Sequence, residues 1–420
     1  MLVAAARAEN WAQWRGPSFN GSTTEKGLPQ TFSKTENLAW VTPLPGPSAA
    51  TPAVWGDKVF LSSTETESGS LMAMCLSATD GKILWKKRLG RDGKMQGNNF
   101  AGPSPVTDGK RAVFLYASGD LAAFDVAGNP LWARNLIKEF GSYCLKYGYN
   151  SSPLLYQDRL YVVVLRRGKT YSGEAPLTGP VSPYLLAIDP ATGKDIWKQD
   201  RPTDAMDESC ESYVTPIPYE GQGKPEILLA GGDYVTSHDP ATGKENWRYN
   251  YNPAKQWMWR LIPSLVVADQ LVIGIEPRGK TKMYALRPGA AAGGKLDKTA
   301  VAWTFDGRTS DSATPLLYEG NLYVLDSDAK VMTCLDPKTG REKWQGSLGV
   351  KSVMRASPTG ADGRVWCLSS DGDVVVLAAG DQFKILAKVA LGDGPTFSSI
   401  AVAGGHVFVR TAHRLYCFGK

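Results

Sequence analysis

The phrase AIDPATGKDIW, residues 187–197, recurs along the chain with small changes. The clearest further copies read SHDPATGKENW at 237–247 and CLDPKTGREKW at 334–344. In each copy the Asp side chain can cap a tight turn and the Gly tolerates a positive φ. The strands on both sides of the turn have the alternating residue pattern of a β-strand. Each copy therefore predicts a β-hairpin whose turn sets the register of its strands.

Weaker copies extend the pattern over most of the chain. CLSATDGKILW at 75–85 lacks the first Asp, AFDVAGNPLW at 123–132 is one residue shorter, and the copy at 285–303 carries an insertion at 289–299. The segment 376–386 keeps the spacing with Leu386 in the place of the Trp. A second phrase, Ser/Thr-Pro followed by a polar turn and a β-branched or aromatic strand, precedes the hairpins at Thr51, Ser104, Ser152, Thr215, Thr314 and Ser357.

The two phrases together predict four short antiparallel strands repeated every ~40–50 residues, which is typical of a β-propeller blade. Trp40 has no blade before it, and the last blade lacks its outer strand, so we expect the chain ends to share one blade. The prediction is an all-β fold: an eight-bladed propeller of four-stranded antiparallel blades. The repeated tryptophans are predicted to pack between neighbouring blades, and they are Trp40, Trp85, Trp132, Trp197, Trp247, Trp303 and Trp344.

The N-terminus resembles the end of an export signal, because Ala6-Arg7-Ala8 follows a short apolar stretch. We expect residues 1–9 to be a signal-peptide remnant or a disordered tail, 10–35 to be an extension packing on the propeller, and 36–420 to be one propeller domain. No later segment reaches ~18 uninterrupted apolar residues, so no transmembrane segment is predicted. The expected location is periplasmic or secreted.

Composition narrows the classes of function. Of 420 residues, 43% are hydrophobic and 21% charged, and the net charge of +6 is spread without basic runs, so no nucleic-acid partner is predicted. Six cysteines without a C-x-x-C pair and three histidines predict no metal site. Cys144 and Cys210 lie in loops and could form a disulfide, whereas Cys75, Cys334 and Cys417 occupy equivalent strand positions and are expected in the core.

The Ala-x-Asp-x-x-Thr-Gly-x-x-x-Trp pattern resembles the tryptophan-docking motif of the pyrroloquinoline-quinone-like (PQQ-like) β-propellers. The resemblance covers nearly the whole chain and implies an eight-bladed propeller. This family includes quinone-dependent alcohol dehydrogenases, the propeller lipoprotein of the outer-membrane barrel-assembly machinery, and exported bacterial proteins whose opening is similar to WAQWRGP at 11–17.

The dehydrogenase branch implies adjacent cysteines beside the quinone and a calcium ion with acidic and amide ligands. This sequence has no Cys-Cys pair, and the acidic turns at 326–328 and 371–373 are too short for an EF-hand-like loop. No cofactor is therefore predicted, with PQQ and calcium left open.

Propellers usually bind ligands at one mouth of the central channel, where the loops entering the innermost strands converge. Aromatic faces and Arg side chains in these loops could bind a sugar or an acidic saccharide, or they could satisfy one another and lock the blades together. Glu208 and Glu211 are the candidate acid and base, although a spacing of three in a loop does not establish the separation that such a pair needs. The predicted ligand-binding residues are Asn98, Lys146, Tyr147, Asn150, Glu211, Tyr213, Trp259, Arg260, Asp311 and Arg355.

Two further features have expected structural roles. His238, beside the turn at Asp239, is predicted to be a packed or capping residue. The Gly-, Pro- and Ser-rich insertion at 166–183 is predicted to be a projecting loop.

We therefore expect an exported, soluble, monomeric propeller that binds a ligand or protein partner, or acts as a scaffold, through its channel mouth. The alternative is a periplasmic enzyme: a quinone-dependent oxidoreductase, or a carbohydrate-active enzyme that uses Glu208 and Glu211. The sequence does not indicate which ligand or partner is bound.

Overall fold

Small antiparallel sheets form a ring around a central channel. The computed structural model describes residues 9–419 except 96, 172, 173, 175, 222, 278–282, 291 and 292. Residues 1–8, most of the predicted signal remnant, lie outside the described residues. Within the described part of the chain the strands form eight blades, so the predicted eight-bladed propeller is confirmed.

We number the blades in chain order of their innermost strands and give each blade from its inner to its outer strand. The first four blades contain Ala53–Trp55, Lys58–Glu65, Ser70–Ser77 and Ile83–Arg91; Val106–Thr107, Arg111–Leu115, Asp120–Asp125 and Pro130–Asn135; Leu154–Tyr156, Arg159–Val164, Tyr184–Ile188 and Asp195–Asp200; and Ile217–Gly221, Lys224–Gly231, Tyr234–His238 and Glu245–Asn250.

The remaining blades are built in the same way. Blades 5 to 8 contain Val266–Ala268, Leu271–Ile275, Met283–Leu286 and Val301–Phe305; Leu316–Tyr318, Asn321–Asp326, Val331–Leu335 and Glu342–Ser347; Thr359–Ala361, Arg364–Leu368, Asp373–Ala378 and Ile385–Ala390; and Ala401–Ala403, His406–Arg410, Arg414–Phe418 and Leu38–Pro43.

A few short elements lie outside the regular blades. The insertion in blade 5 adds a strand, Lys295–Leu296, in parallel to the outer strand of blade 4. The other elements are a two-stranded ribbon (Lys94–Met95 and Asn98–Asn99), one α-helix (Leu136–Phe140) and the 3₁₀ helices Asp207–Cys210, Pro288–Ala290 and Lys298–Ala300.

The two ends of the chain close the ring in blade 8. Leu38–Pro43 pairs antiparallel with Arg414–Phe418, and Trp40 lies opposite Cys417. The predicted sharing of one blade by the chain ends is therefore confirmed: the N-terminal strand covers the edge that Arg414–Phe418 would otherwise expose. Cys75 and Cys334 lie opposite Trp85 and Trp344 in the same way, and all three cysteines are fully buried, as expected.

The hairpin turns are formed as their sequences predict. Asp239 accepts hydrogen bonds from the backbone N–H groups of Ala241 and Thr242 at 2.9 and 2.8 Å. Gly243 follows with a φ of +75°, and the indole ring of Trp197 in the preceding blade lies against it. A Cβ atom on Gly243 would lie 2.5 Å from this ring, so the residue must be Gly for both its φ and its packing.

Six of the predicted structural tryptophans dock onto the next blade through a hydrogen bond. Each indole N–H donates to a carbonyl in the neighbouring hairpin turn at 2.8 to 3.2 Å. The donor and acceptor pairs are Trp40 with Ala78, Trp85 with Val126, Trp132 with Pro190, Trp197 with Pro240, Trp303 with Pro337, and Trp344 with Gly380. These six indole rings therefore lie at the junctions between neighbouring blades.

Two junctions depart from the docking pattern. Trp247 donates to the Glu226 carboxylate of its own blade at 3.0 Å, because the insertion interrupts the hairpin of blade 5. The assignment of Leu386 to the Trp place is wrong: Val376 pairs with Ala387, while Leu386 lies in the bulge and is 44% exposed. The turn of blade 7 is one residue longer than the turns of blades 1, 3, 4 and 6, which shifts the position opposite Val376 by one.

A closed ring of hydrogen bonds joins the blades around the channel. At the start of each innermost strand, a backbone N–H donates to a hydroxyl at the same place in the next blade, at 2.9 to 3.1 Å. The eight residues, in ring order, are Thr51, Ser104, Ser152, Thr215, Ser264, Thr314, Ser357 and Ser399. Each of them is buried, so each bond satisfies a donor that water does not reach.

The N-terminal segment crosses the end of the channel opposite the mouth. Trp11 pairs with Val54 of blade 1 through two backbone hydrogen bonds of 2.9 and 2.7 Å. Arg15 is buried and donates to the carbonyls of Pro315 and Pro358, at 2.7 and 2.9 Å, in blades 6 and 7. Burial lowers the pKa of Arg15 to about 9. This segment therefore ties distant blades together beneath the channel.

We expect Gly243→Ala to destabilise the fold more than Gly320→Ala. Gly320 has a similar φ of +73°, but a Cβ there would meet no atom within 4 Å. The positive φ costs about 1–2 kcal/mol in both variants, and overpacking against Trp197 adds about 1–3 kcal/mol at Gly243. Urea denaturation measures both free energies of unfolding; equal losses would contradict the packing role of the glycine.

We expect Thr314→Val to lower the free energy of unfolding by about 1–3 kcal/mol, because the buried N–H of Ser264 loses its acceptor. Valine keeps the shape of the side chain and removes only the hydroxyl. Thr314→Ser restores an acceptor and should recover most of the loss in the same denaturation experiment. If the serine variant were as unstable as the valine variant, the hydrogen-bond ring would not be the cause.

Candidate functional site

The candidate site lies at the channel mouth, on the loops that lead into the ring of hydroxyls. Each of these loops is anchored in its own blade. Closure of the ring brings neighbouring loops into contact, although their residues lie about fifty positions apart in the sequence. The predicted residues come from the loops before blades 2 to 7: Asn98; Lys146, Tyr147 and Asn150; Glu208, Glu211 and Tyr213; Trp259 and Arg260; Asp311; and Arg355.

Glu208 is held in an ion-pair network across four loops. Its carboxylate lies 2.8 Å from Arg260 Nη1 and 3.5 Å from Lys146 Nζ, and Arg260 Nη2 lies 3.6 Å from Asp311. The Arg260 guanidinium stacks 4.8 Å from the ring centre of Tyr147. Burial by itself would lower the pKa of Arg260, but Asp311, Tyr147 and Glu208 raise it above its ordinary value. Removing one partner of such a buried pair costs about 3–5 kcal/mol, so the network locks the loops together.

Glu211 is a buried acceptor at the junction of two loops. Its side chain is 0% exposed, and it accepts hydrogen bonds from the Lys146 backbone N–H at 2.9 Å and the Tyr213 hydroxyl at 3.0 Å. The Tyr171 hydroxyl donates to its other oxygen, and Arg167 Nε lies 3.7 Å away. Burial raises the pKa of Glu211 above its ordinary value of 4.5, although these donors act against the shift. This carboxyl therefore connects protein groups and presents no surface to a substrate.

The two predicted amides support the same loop. Asn98 Nδ2 donates to the Tyr147 carbonyl at 2.9 Å, and Asn150 Nδ2 donates to the carbonyls of Tyr147 and Gly148 at 3.3 and 3.2 Å. The Tyr213 hydroxyl also accepts the Tyr147 N–H at 3.2 Å. Tyr147 is therefore the centre of the predicted set.

Two predicted residues lie apart from this centre. Arg355 contacts Asp328 at 3.4 Å and Ser312 Oγ at 3.5 Å, between blades 6 and 7. Trp259 is half-buried against the core of blades 4 and 5, and its backbone N–H donates to Ser209 Oγ at 3.0 Å. That these residues bind a ligand stays a prediction.

Sequence reasoning missed two residues of the mouth, Arg167 and Tyr171. Both belong to the insertion at 166–183, for which a projecting loop was expected. Instead, Arg166 is buried on four backbone carbonyls and Tyr171 reaches Glu211, so the first part of the insertion folds back onto the mouth. No feature of the Gly-, Pro- and Ser-rich sequence of the insertion indicates this contact.

His238, Cys144 and Cys210 each contact neighbouring protein groups. His238 lies between the Gly243 carbonyl at 2.9 Å and Thr236 Oγ1 at 3.0 Å, and burial lowers its pKa to about 4, which agrees with the packed role predicted for it. Cys144 and Cys210 are free thiols, so the possible disulfide between them is not formed. Burial raises the pKa of both thiols to about 11, which makes them poor nucleophiles at neutral pH.

A quinone and calcium do not match the residues at the mouth. Calcium takes about six to eight oxygen ligands, whereas Glu208 and Glu211 are already occupied by protein donors. Across the described ranges, no group of three His, Cys, Asp or Glu side chains is placed to hold a metal ion. The channel cavity below the mouth, lined by ring hydroxyls and Trp14, has a volume of only about 120 Å³. The expectation of no cofactor stays a prediction.

A larger cleft opens at the same face between blades 1, 2 and 8. Its volume is about 700 Å³, and two predicted residues, Asn98 and Asn150, line it. Its other lining residues, among them Asp92, Phe397 and His413, are not among the predicted site residues. No helix in the described part of the chain is long and apolar enough to cross a membrane.

One family model matches more than half of the chain. The family model described as outer membrane protein assembly factor BamB matches residues 30–169 and 294–382, which is more than half of the chain. No curated protein matches the sequence.

Solved structures share the architecture at low sequence identity. A europium-containing methanol dehydrogenase is 11% identical, with a TM-score of 0.73 over 98% of both chains. BamB from Moraxella catarrhalis is 13% identical, with a TM-score of 0.61 over 94% of this chain and 100% of that one. The quinohemoprotein alcohol dehydrogenase from Comamonas testosteroni is 13% identical, with a TM-score of 0.71 over 99% of this chain and 81% of the enzyme. At these identities the likeness shows the fold alone.

We expect Glu211→Gln to change how stability depends on pH. A carboxyl whose pKa is raised in the folded state stabilises that state fully below pH 4.5 and loses this contribution as the pH rises through the folded pKa. Glutamine cannot ionise, so the variant should gain stability relative to the wild type as the pH rises from about 4 to about 7. Urea midpoints across this range measure the difference.

The matched control for this titration is Glu220→Gln, which removes one charge at an exposed position of blade 4. The free energy of unfolding of Glu220→Gln should not increase relative to the wild type with rising pH, as that of Glu211→Gln is expected to do. A Glu211→Gln difference that stayed constant, or fell with rising pH, would show that this carboxyl is not held in the buried site described.

Proposed function

We propose, from the premise that the chain belongs to the PQQ-like β-propeller family, that it is a binding module that holds a protein partner at its channel mouth. The family description, an outer membrane protein assembly factor, supports a role in assembly and an exported location. The likeness to BamB from Moraxella catarrhalis supports the same proposal at the level of the fold.

The observation that carries the proposal is the state of the candidate catalytic carboxylates. Glu208 is paired with Arg260 and Lys146, and Glu211 is fully buried among hydroxyl and backbone donors. A general acid or base must reach the proton that it transfers, within about 3 Å or through one water. Two carboxyls that hold loops together support a rigid binding surface more than a hydrolytic pair.

A surface suited to a partner lies beside this network, on the loops before blades 4 and 5. Trp257 is 69% exposed and Met206 is 52% exposed. Exposed aromatic and Met side chains of this kind are enriched in protein interfaces, and Trp is enriched among the residues that contribute most to binding. We call these two residues the mouth patch.

The loops under the mouth patch are held together, so they would lose little conformational freedom on binding. Ser209 Oγ donates to the Gln256 carbonyl at 3.0 Å and accepts the Trp259 N–H at 3.0 Å. Lys255 Nζ lies 2.5 Å from Asp204 Oδ1. A surface ordered before it binds avoids part of the entropic cost of association.

Site-specific crosslinking tests the proposal in the native cells. A photoreactive amino acid replaces Trp257 in one variant and Leu386 in the other; Leu386 is exposed on the outer strand of blade 7. We expect one protein to be crosslinked from position 257 and not from position 386. With that protein purified, Trp257→Ala should weaken the complex about tenfold or more.

The enzymatic alternative is tested on the same preparation. Alcohol oxidation is assayed with added PQQ and calcium, and hydrolysis is assayed with oligosaccharides. The proposal predicts no turnover above the blank. Turnover that Glu211→Gln abolishes while folding is retained, or equal crosslinking from both positions, would reject the binding-module proposal.

A further inference from the structure

The cleft between blades 1, 2 and 8 is a second opening at the mouth, separate from the mouth patch. Its volume of about 700 Å³ is typical of small-molecule sites. Neither Met206 nor Trp257 lines it, and neither do Glu208 and Glu211. We propose that this cleft binds an uncharged saccharide.

The polar side chains of the cleft leave hydrogen-bond acceptors without protein partners. The amide nitrogen of Asn98 donates to the Tyr147 carbonyl at 2.9 Å, which fixes the amide and leaves Oδ1 with no described donor. Asp92 Oδ1 accepts the N–H groups of Gly93 and Phe100, both at 2.9 Å, and Oδ2 has no partner among the described residues. Acceptors of this kind match ligand hydroxyl groups, which are donors.

The charges of the cleft disfavour an anionic ligand. Among the described residues, no Lys or Arg lines it, whereas Asp92 and Glu65 do. Lys86 and Arg88, which do not line the cleft, compensate the negative charge of Glu65 at 2.9 and 3.2 Å. A phosphate, sulfate or uronic acid would meet acidic groups with no Lys or Arg among the described lining residues to pair with, so the acidic saccharide considered from sequence is the less suitable ligand.

The apolar part of the cleft provides a flat surface for a sugar ring. Phe397 is half-buried, lines both the cleft and the channel cavity, and stacks with no other aromatic ring in the described chain. Pro47 and Pro395 line the same space. A site with one aromatic face and a few fixed acceptors orients a ligand that has an apolar face and hydroxyl groups at its edge. These are the properties of a neutral pyranose.

Calorimetric titration of the purified full chain tests the assignment. The probes are neutral tetrasaccharides of glucose, mannose, galactose and N-acetylglucosamine, with tetragalacturonate and spermidine as the anionic and cationic comparisons. We expect at least one neutral probe to bind, and to bind at least about tenfold more tightly than tetragalacturonate or spermidine. Binding of no neutral probe, or a preference for either charged probe, would overturn the proposal.

Variants locate the binding in the cleft. Phe397→Leu and Asn98→Ala should each weaken the neutral probe about tenfold or more, with circular dichroism confirming that the variants fold. Phe383→Leu is the matched control, because it makes the same change where the ring packs on Trp344, away from the cleft. Equal weakening in the control would place the binding elsewhere and overturn the proposal. Crosslinking from position 257 does not depend on this result, so the saccharide site and the partner surface can fail separately.

Discussion

The ring of eight hydrogen bonds around the channel is the constraint on which the rest of the structure depends. Each bond joins a backbone N–H to a hydroxyl in the next blade, and Ser399 returns to Thr51 to close the circuit. Every mouth loop ends at one of these residues. The ring therefore fixes where the loops point and brings Glu208 within reach of Arg260, 52 residues later in the chain.

An outer layer of docked tryptophans complements the inner ring. Where an indole meets the next hairpin, the turn presents a carbonyl for its N–H and, at five of the six docked junctions, a glycine for its face, as Pro240 and Gly243 do for Trp197. Where the next hairpin is interrupted, Trp247 uses Glu226 of its own blade instead. The fold tolerates this change because the inner ring is complete at the same junction, through Thr215 and Ser264.

The fold was largely predictable because its determinants are local. A turn of the form Asp-Pro-x-Thr-Gly sets its own register, and its repetition once per blade gives the architecture. The errors also have local causes: one extra residue in the turn of blade 7 moved Leu386 out of the Trp place. Ser264 and Ser399 were missed as ring residues because neither is followed by Pro.

The site was predictable only in part, because its contacts are not local. Sequence reasoning identified the mouth loops but not which side chains pair, since Glu208 with Arg260 and Glu211 with Tyr171 meet only in the closed ring. Phe397 belongs to a loop near the end of the chain and shares a cleft with residues of the first two blades. The repeat places its loop at the mouth, but Phe397 meets its partners in the cleft only in the closed ring.

A high-resolution crystal structure of the protein purified from its native cells tests the central claim, that the mouth carboxylates serve structure and binding occurs beside them. The account predicts that Glu208 remains on Arg260 and Glu211 on Tyr171 and Tyr213, with any ligand density confined to the cleft that Phe397 lines. A ligand bound directly to Glu208 or Glu211, with these carboxylates displaced from their protein partners, would contradict it.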